Sequence, residues 1–316
     1  MHRIFVSIPG YRGDDLTRLR LGVWVMAARP KTLVAAASPV LIGTGLASFQ
    51  GFFQPLPALM ALVGALLIQI ATNLANDYYD FVRGADTAER VGPVRVTQAG
   101  LLTPEAVRRA IVVVMVSAVL VGSYLVWVGG WPILWVGVLS LVCAVAYTGG
   151  PFPLAYHGLG DLFVFVFFGL VAVAGTYWVQ ARALPPDVLL AGVGVGALST
   201  AILVVNNLRD IATDTRAGKR TLAVRIGRLA TAVQYTLLLV VGVAAPVLGV
   251  LVYDWPTVTA AAGLVTAVVW VAPLRTVWGH RDPHELVPAL GQTARGVALY
   301  GILLAVALAW GLPRLH

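Results

Sequence analysis

Nine uninterrupted apolar runs dominate this sequence, at residues 32–49, 56–76, 107–128, 131–148, 161–180, 188–207, 230–253, 256–274 and 287–311. About 20 apolar residues is the length an α-helix needs to cross the hydrocarbon core of a bilayer. In that core every backbone N–H and C=O must find a partner, and a helix provides one within the segment itself. A β-barrel would instead show alternating segments of about ten residues. The expected fold is therefore all-α, a polytopic membrane protein of nine transmembrane helices with the lipid bilayer as its partner. Composition agrees, since 59% of the 316 residues are hydrophobic and only 11% charged, against about 25% charged in soluble domains. A soluble nucleic-acid binder, a disordered chain and a collagen are excluded. The single Cys143 leaves no internal disulfide framework and no cysteine metal site.

The few charges are unevenly placed. Twenty of the 22 Lys and Arg residues fall before the first apolar run, in the connections after the second, sixth and eighth, or in the first half of the run that follows (Arg108, Arg109 and Arg295), and only Arg182 and Arg314 fall on the other side. Basic residues near helix ends resist translocation, so the N-terminus is expected to be cytoplasmic and the C-terminus outside, in a cell membrane. The first 23 residues contain no apolar core region, and no cleavable signal peptide is expected. Residues 1–27 read as a cytoplasmic arm, part of it able to lie on the membrane surface, and residues 28–316 as the membrane domain.

Six of the 14 acids gather in two clusters, Asp77, Asp80, Asp86 and Glu89 after the second run, Asp210 and Asp214 after the sixth. If each helix continues through its cluster, Asn73, Asp77 and Asp80 share one face, and so do Asn206, Asp210 and Asp214. Both helix ends emerge on the basic side, and the recurrence of Asn, Asp and a downstream basic residue with Gly suggests two parallel repeats. Facing stripes of carboxylates suit a hard cation such as Mg²⁺, which takes one or two carboxylates and completes its shell with water and substrate phosphate. Arg83, Arg209, Arg216 and Lys219 are then candidates for the remaining phosphate oxygens. Two other readings stand beside this one. Solvated helix ends with salt bridges would not explain the repeated Asn and Asp pattern, and an ion pathway in a transporter would put acids at mid-helix.

Four stretches carry a family resemblance: Ala28-Arg29-Pro30-Lys31-Thr32-Leu33, the segment from Gly84 through Gly92-Pro93-Val94-Arg95 to Gln98, Tyr147-Thr148-Gly149-Gly150-Pro151 through Gly160-Asp161, and Gly218-Lys219-Arg220-Thr221 through Gly227. With the two Asp clusters they resemble the UbiA superfamily of intramembrane prenyltransferases, and most closely its 1,4-dihydroxy-2-naphthoate branch. The resemblance covers residue 28 to the C-terminus. It implies a nine-helix bundle with Asp-rich motifs on cytoplasmic loops, Mg²⁺ as cofactor, and a polyprenyl diphosphate and an aromatic acceptor as partners. Where many members carry a third Asp in the first motif, this chain has Gly84, and Asp86 ranks below Asp77 and Asp80 as a ligand.

The resemblance also implies roles. Asn73, Asp77, Asp80, Asn206, Asp210 and Asp214 hold metal, and Arg83, Arg209, Arg216 and Lys219 hold diphosphate. Arg29 or Lys31 pairs with the acceptor carboxylate, and Tyr147 orients or deprotonates the ring. Tyr78, Tyr79, Phe152 and Tyr156 are candidates to shield an allylic cation, with packing as the alternative. His157 and Asp161 lie one turn apart, where they could form an acid–base pair, a helix start being the favoured reading of Asp161. His280 and His284 read as surface residues. Gly192, Gly194 and Gly196 either widen an apolar tunnel or allow close helix packing.

Overall fold

The computed structural model describes residues 13–84, 91–92 and 94–311, and every regular element among them is helical. The order is α1 (Gly13–Ala28), α2 (Pro30–Phe49), α3 (Pro55–Val82), α4 (Pro104–Gly129) and α5 (Trp131–Ala146). A 3₁₀ turn at Leu154–His157 leads into one helical run made of α6 (Gly160–Phe165), a π-helical stretch (Val166–Val171) and α7 (Ala172–Ala181). Then come α8 (Pro186–Arg216), α9 (Leu222–Tyr253), α10 (Thr257–Gly279) and α11 (Leu286–Ala309). Eight of these runs are long and apolar enough to span a bilayer, and α5 adds a shorter ninth. Each expected segment is thus met by one helical run.

Three differences from expectation matter. Residues 13–27 of the expected arm belong to helix α1, which ends at Ala28 and whose Val23 and Trp24 pack against Leu74, Val96 and Val107. The helices α3 and α8 continue to Val82 and Arg216, so the Asp motifs sit on helix ends rather than on loops. The helical run of α9 begins at Leu222, with Gly227 at φ 77° breaking it before the membrane stretch. A left-handed φ of that kind is open to Gly without strain.

Local chemistry explains the boundaries. Proline stands in the first turn of α2, α3, α4, α5 and α8, where a missing N–H breaks no helical bond. Thr103 and Thr221 cap α4 and α9 by accepting from the amides of Ala106 and Val224 at 3.2 and 3.3 Å.

Helix α8 is the most buried span, packed between α9, α11 and the α6–α7 run. Its glycines serve that packing. A Cβ on Gly196 would fall 2.8 Å from the Phe165 carbonyl oxygen, one on Gly192 3.0 Å from the Leu170 Cα, and one on Gly194 2.7 Å from the Ala245 Cβ. Such close approach is the usual role of small residues between spanning helices.

The bundle has two distinct ends. At one, Gln50, Asp187, Tyr177 and Trp255 form a clasp: Gln50 Nε2 donates to Asp187 Oδ2 at 2.7 Å, Trp255 Nε1 donates to the same oxygen at 3.2 Å, and the Tyr177 hydroxyl donates to Gln50. Exposed Trp127, Trp131 and Trp310 also lie at this end, where indole rings favour the membrane interface. The other end gathers the start of α2, the ends of α3, α5 and α8, and the start of α6, and carries most of the charge.

Candidate active site

A cavity of about 840 Å³ runs through the bundle. Its polar end is lined by Arg29, Lys31, Asp80, Arg95, Asp210 and Lys219, and its depth by Val40, Gly64, Val126, Ile133, Gly175 and Val179. A charged rim above an apolar shaft fits a ligand with an anionic head and a hydrocarbon tail.

The rim is built by helix phase. On α3, Asp80 is buried and its carboxylate is shared. Arg95 Nη2 donates to Oδ2 at 3.1 Å, the Tyr156 hydroxyl donates to Oδ1 at 3.0 Å, and Lys219 Nζ stands 3.9 Å away. Lys219 is also 4.0 Å from Asp214 Oδ1, so one ammonium stands between the two motifs. On α8, Arg209 donates through Nε and Nη2 to the two oxygens of Asp210, both at 2.7 Å, and through Nη2 to Asn206 at 2.8 Å. Arg209 Nη1 is buried on the cavity wall with no hydrogen-bond partner in the structure. A guanidinium nitrogen left dry in this way is costly unless an anion joins it.

Two motif residues commit their polar groups to neighbouring segments. Asp77 receives the amides of Val96 and Thr97 at 3.1 and 3.0 Å and the Thr97 hydroxyl, with Arg29 Nη2 at 3.9 Å. Its carboxylate pins the segment before α4 to α3. Asn73 donates to the Ala28 carbonyl and the Thr32 hydroxyl, both at 2.9 Å, and accepts from Gln69, tying α3 to the start of α2. Asn73 lines the cavity and Asp77 does not.

The expected phosphate ligands divide. Arg209 and Lys219 line the cavity, whereas Arg83 and Arg216 do not. Arg83 is exposed, donates to the Gly150 carbonyl and lies 5.4 Å above the Tyr156 ring, so it clamps the loop after α5. Arg216 is exposed in the last turn of α8. Arg29 and Lys31 are both on the rim, Arg29 with φ 51° at the junction of α1 and α2. Asp86 and Glu89 lie outside the described residues.

Tyr147 caps α5 and lines the cavity, its hydroxyl lying beside Gly160 at the start of α6. The aromatic residues proposed for cation shielding are not in the cavity wall. Tyr78 and Tyr79 pack on the other side of α3 with Leu74 and Val107, and Phe152 stacks on His157 at 3.6 Å in the loop above. Phe163, Phe167 and Phe168 line the cavity instead. Consecutive Phe167 and Phe168, within the π-helical stretch, both reach it. His157 and Asp161 are not paired: His157 Nδ1 contacts the Pro153 carbonyl and Asp161 receives Gln234. His284 is exposed as expected, but His280 is buried, its ring held by the Val277 carbonyl.

Arg95 was not among the expected site residues, its contact with Asp80 bridging 15 positions of sequence, and Asp161 was expected only as a partner of His157 or as a helix start.

Hard oxygen donors at the rim, namely Asp80, Asp210, Asp214 and Asn206, fit Mg²⁺ in kind. Among the described residues no three His, Cys, Asp or Glu side chains converge to cage a metal unaided. That is the pattern for a cation held by one or two carboxylates and completed by phosphate oxygens.

Residues 36–290 match the UbiA prenyltransferase family. The chain is 38% identical to the 1,4-dihydroxy-2-naphthoate octaprenyltransferase of Escherichia coli, covering 92% of this chain and 96% of the relative. It is 42% identical to the protein so named in Mycobacterium tuberculosis, covering 91% and 97%. Among solved structures, a UbiA homolog from Archaeoglobus fulgidus bound to DMAPP and Mg²⁺ superposes with a TM-score of 0.65 at 12% identity, covering 90% of this chain and 98% of that one. The apo homolog from Aeropyrum pernix superposes at 0.64 with 16% identity, covering 88% and 96%. At such identities the likeness shows the fold alone. Matched in sequence across most of its length and in the course of its helices, the chain belongs to the UbiA prenyltransferase family.

Proposed function

We propose that this protein transfers a polyprenyl group from polyprenyl diphosphate to 1,4-dihydroxy-2-naphthoate, the acceptor carboxylate leaving as carbon dioxide. The reading is carried by one observation: two carboxylate motifs and three cations, Arg95, Arg209 and Lys219, meet at the polar end of a deep apolar cavity. Relatives bearing that activity in their names, at 38% and 42% identity over nine-tenths of the chain, support the choice of acceptor.

The apolar shaft takes the polyprenyl tail, and Arg209 Nη1 and Lys219 take diphosphate oxygens. Asp80, Asp210, Asp214 and Asn206 are the residues to hold Mg²⁺, with Asp77 and Asn73 fixing the segments behind them. When bound, the metal supplies charge neutralisation for the leaving diphosphate. A unit charge about 4 Å away at an effective dielectric near 20 is worth roughly 4 kcal/mol before desolvation. The allylic carbon–oxygen bond breaks with its electron pair going to diphosphate. Phe163, Phe167 and Phe168 present ring faces and exclude water from the allylic carbon. A ring carbon of the acceptor supplies the pair for the new carbon–carbon bond, and the pair freed on decarboxylation returns to the ring. Arg29 and Lys31 are placed to pair with the acceptor carboxylate, and Tyr147 to orient the ring.

We further infer a cell-membrane location with the charged mouth and the N-terminus cytoplasmic and the C-terminus outside, as the basic residues favour. Purified protein in detergent, supplied with Mg²⁺, one polyprenyl diphosphate and each of dihydroxynaphthoate, 4-hydroxybenzoate and homogentisate, tests the function by mass spectrometry. A prenylated, decarboxylated naphthalenediol is expected. Product from another acceptor alone would overturn the acceptor assignment.

A further inference from the structure

We propose that Asp161 is the residue that recognises the ring hydroxyl of the acceptor lying away from its carboxylate, the hydroxyl donating to Asp161 Oδ2. The proposal deepens the acceptor reading above and rests on it.

Asp161 is the second residue of α6, at the start of a membrane-spanning run, and is 7% exposed. One oxygen, Oδ1, accepts from Gln234 Nε2 of α9 at 3.2 Å. The other, Oδ2, is buried and has no hydrogen-bond partner in the structure. A carboxylate is an acceptor only, and one oxygen left dry in an apolar wall is costly unless a donor joins it. Among the described residues no cation forms an ion pair with it, unlike Asp77, Asp80, Asp210 and Asp214. The residue lies on the cavity wall, so the missing donor can come from a ligand.

Its depth fits the acceptor rather than the diphosphate. The neighbouring Gly160 faces Leu203 of α8, a Cβ on it falling 3.4 Å from the leucine side chain. Leu203 is seven residues before Asp210 on a continuous helix, about 10 Å at the helical rise. The same Cβ would lie 3.1 Å from the Tyr147 hydroxyl, which places Tyr147 beside Asp161. One turn deeper on α8, the buried Ser199 hydroxyl also lines the cavity without a partner. Polar groups seeking partners thus recur below the rim, in a wall that is mostly apolar.

Charge then sets the orientation. A carboxylated ring turns its anion toward Arg29 and Lys31 on the rim and away from Asp161. In 1,4-dihydroxy-2-naphthoate the 1-hydroxyl adjoins the carboxylate, so the 4-hydroxyl, across the ring, is the one directed to Asp161. Gln234 is a positioning residue that acts through Asp161.

The test is binding of two acceptors to the full chain in detergent, without donor and under anaerobic conditions: 1,4-dihydroxy-2-naphthoate and 1-hydroxy-2-naphthoate, which lacks the 4-hydroxyl. A hydrogen bond to a charged acceptor corresponds to roughly 10- to 100-fold in affinity. The unaltered protein is expected to prefer the dihydroxy ligand by that factor, and Asp161→Asn to lower the preference to within about threefold while binding polyprenyl diphosphate as before. Gln234→Leu, expected to lower it partway, serves if Asp161→Asn does not give a monodisperse protein. An unaltered protein that discriminates less than threefold, or a folded variant that keeps the full preference, overturns the proposal. Prenyl transfer to dihydroxynaphthoate, measured on the same preparation, separates the two readings. Turnover without discrimination sinks only the role of Asp161, and absence of turnover sinks the acceptor assignment itself.

Discussion

Lys219 Nζ lies 3.9 Å from Asp80 Oδ2, so a loop residue following α8 reaches the carboxylate that α3 presents. The same ammonium is 4.0 Å from Asp214 and 5.0 Å above the Tyr156 ring. Two motifs from distant parts of the chain are therefore held by one cation, at the place where an anionic head group is expected to bind.

Replacing that cation tests its role. Lys219→Gln is expected to raise the KM for polyprenyl diphosphate roughly 10-fold or more, the effect of losing one charged contact, while the acceptor KM stays within about threefold. Initial rates with each substrate varied in turn will show the split. An unchanged donor KM would remove Lys219 from the diphosphate site.

Asp77 and Asp210 should fail in different ways. Asp210→Ala is expected to abolish Mg²⁺-dependent product while leaving the protein monodisperse. Asp77→Ala removes the acceptor of two amides and a hydroxyl in the segment before α4, and an unsatisfied buried donor costs about 1–3 kcal/mol. A lowered Tm and faster proteolysis after Gly92 are expected for Asp77→Ala alone. Mg²⁺-dependent product retained by Asp210→Ala would sink the metal assignment, and an unchanged Tm in Asp77→Ala would sink the structural role of Asp77.

The contact between the π-helical stretch and α8 leaves no room for a side chain. A Cβ on Gly169 would fall 2.6 Å from the Gly196 Cα, backbone against backbone. Gly169→Val is expected to destabilise by about 3 kcal/mol and to lower the yield of monodisperse protein. A normal Tm in detergent would contradict the packing.

The cavity phenylalanines are expected to guard a short-lived cation. Phe168→Leu keeps an apolar wall but removes a ring face, a loss of about 1–2 kcal/mol, or roughly 10-fold in rate. Free polyprenyl alcohol should rise relative to prenylated product as water captures the cation. Mass-spectrometric quantification of both products measures the partition, and an unchanged ratio would move the shielding role to other residues.

Helical spans, their number and the polar end were determined by the sequence itself, because bilayer crossing requires long apolar runs and basic residues mark one side. Asn73 to Asp80 and Asn206 to Asp214 were likewise legible as helix-face stripes, since that periodicity is local. Which members of a stripe face the cavity was not. Asp77 turns to the amides of Val96 and Thr97 while Asp80, less than one turn on, meets Arg95 and Lys219, a difference set by neighbours from other parts of the chain. The aromatic lining was decided by how the α6–α7 run packs on α8, and the place of Asp161 by Gln234 on α9 and by the depth of α6 against α8. Periodicity fixes the face of a helix, but only packing decides what that face meets.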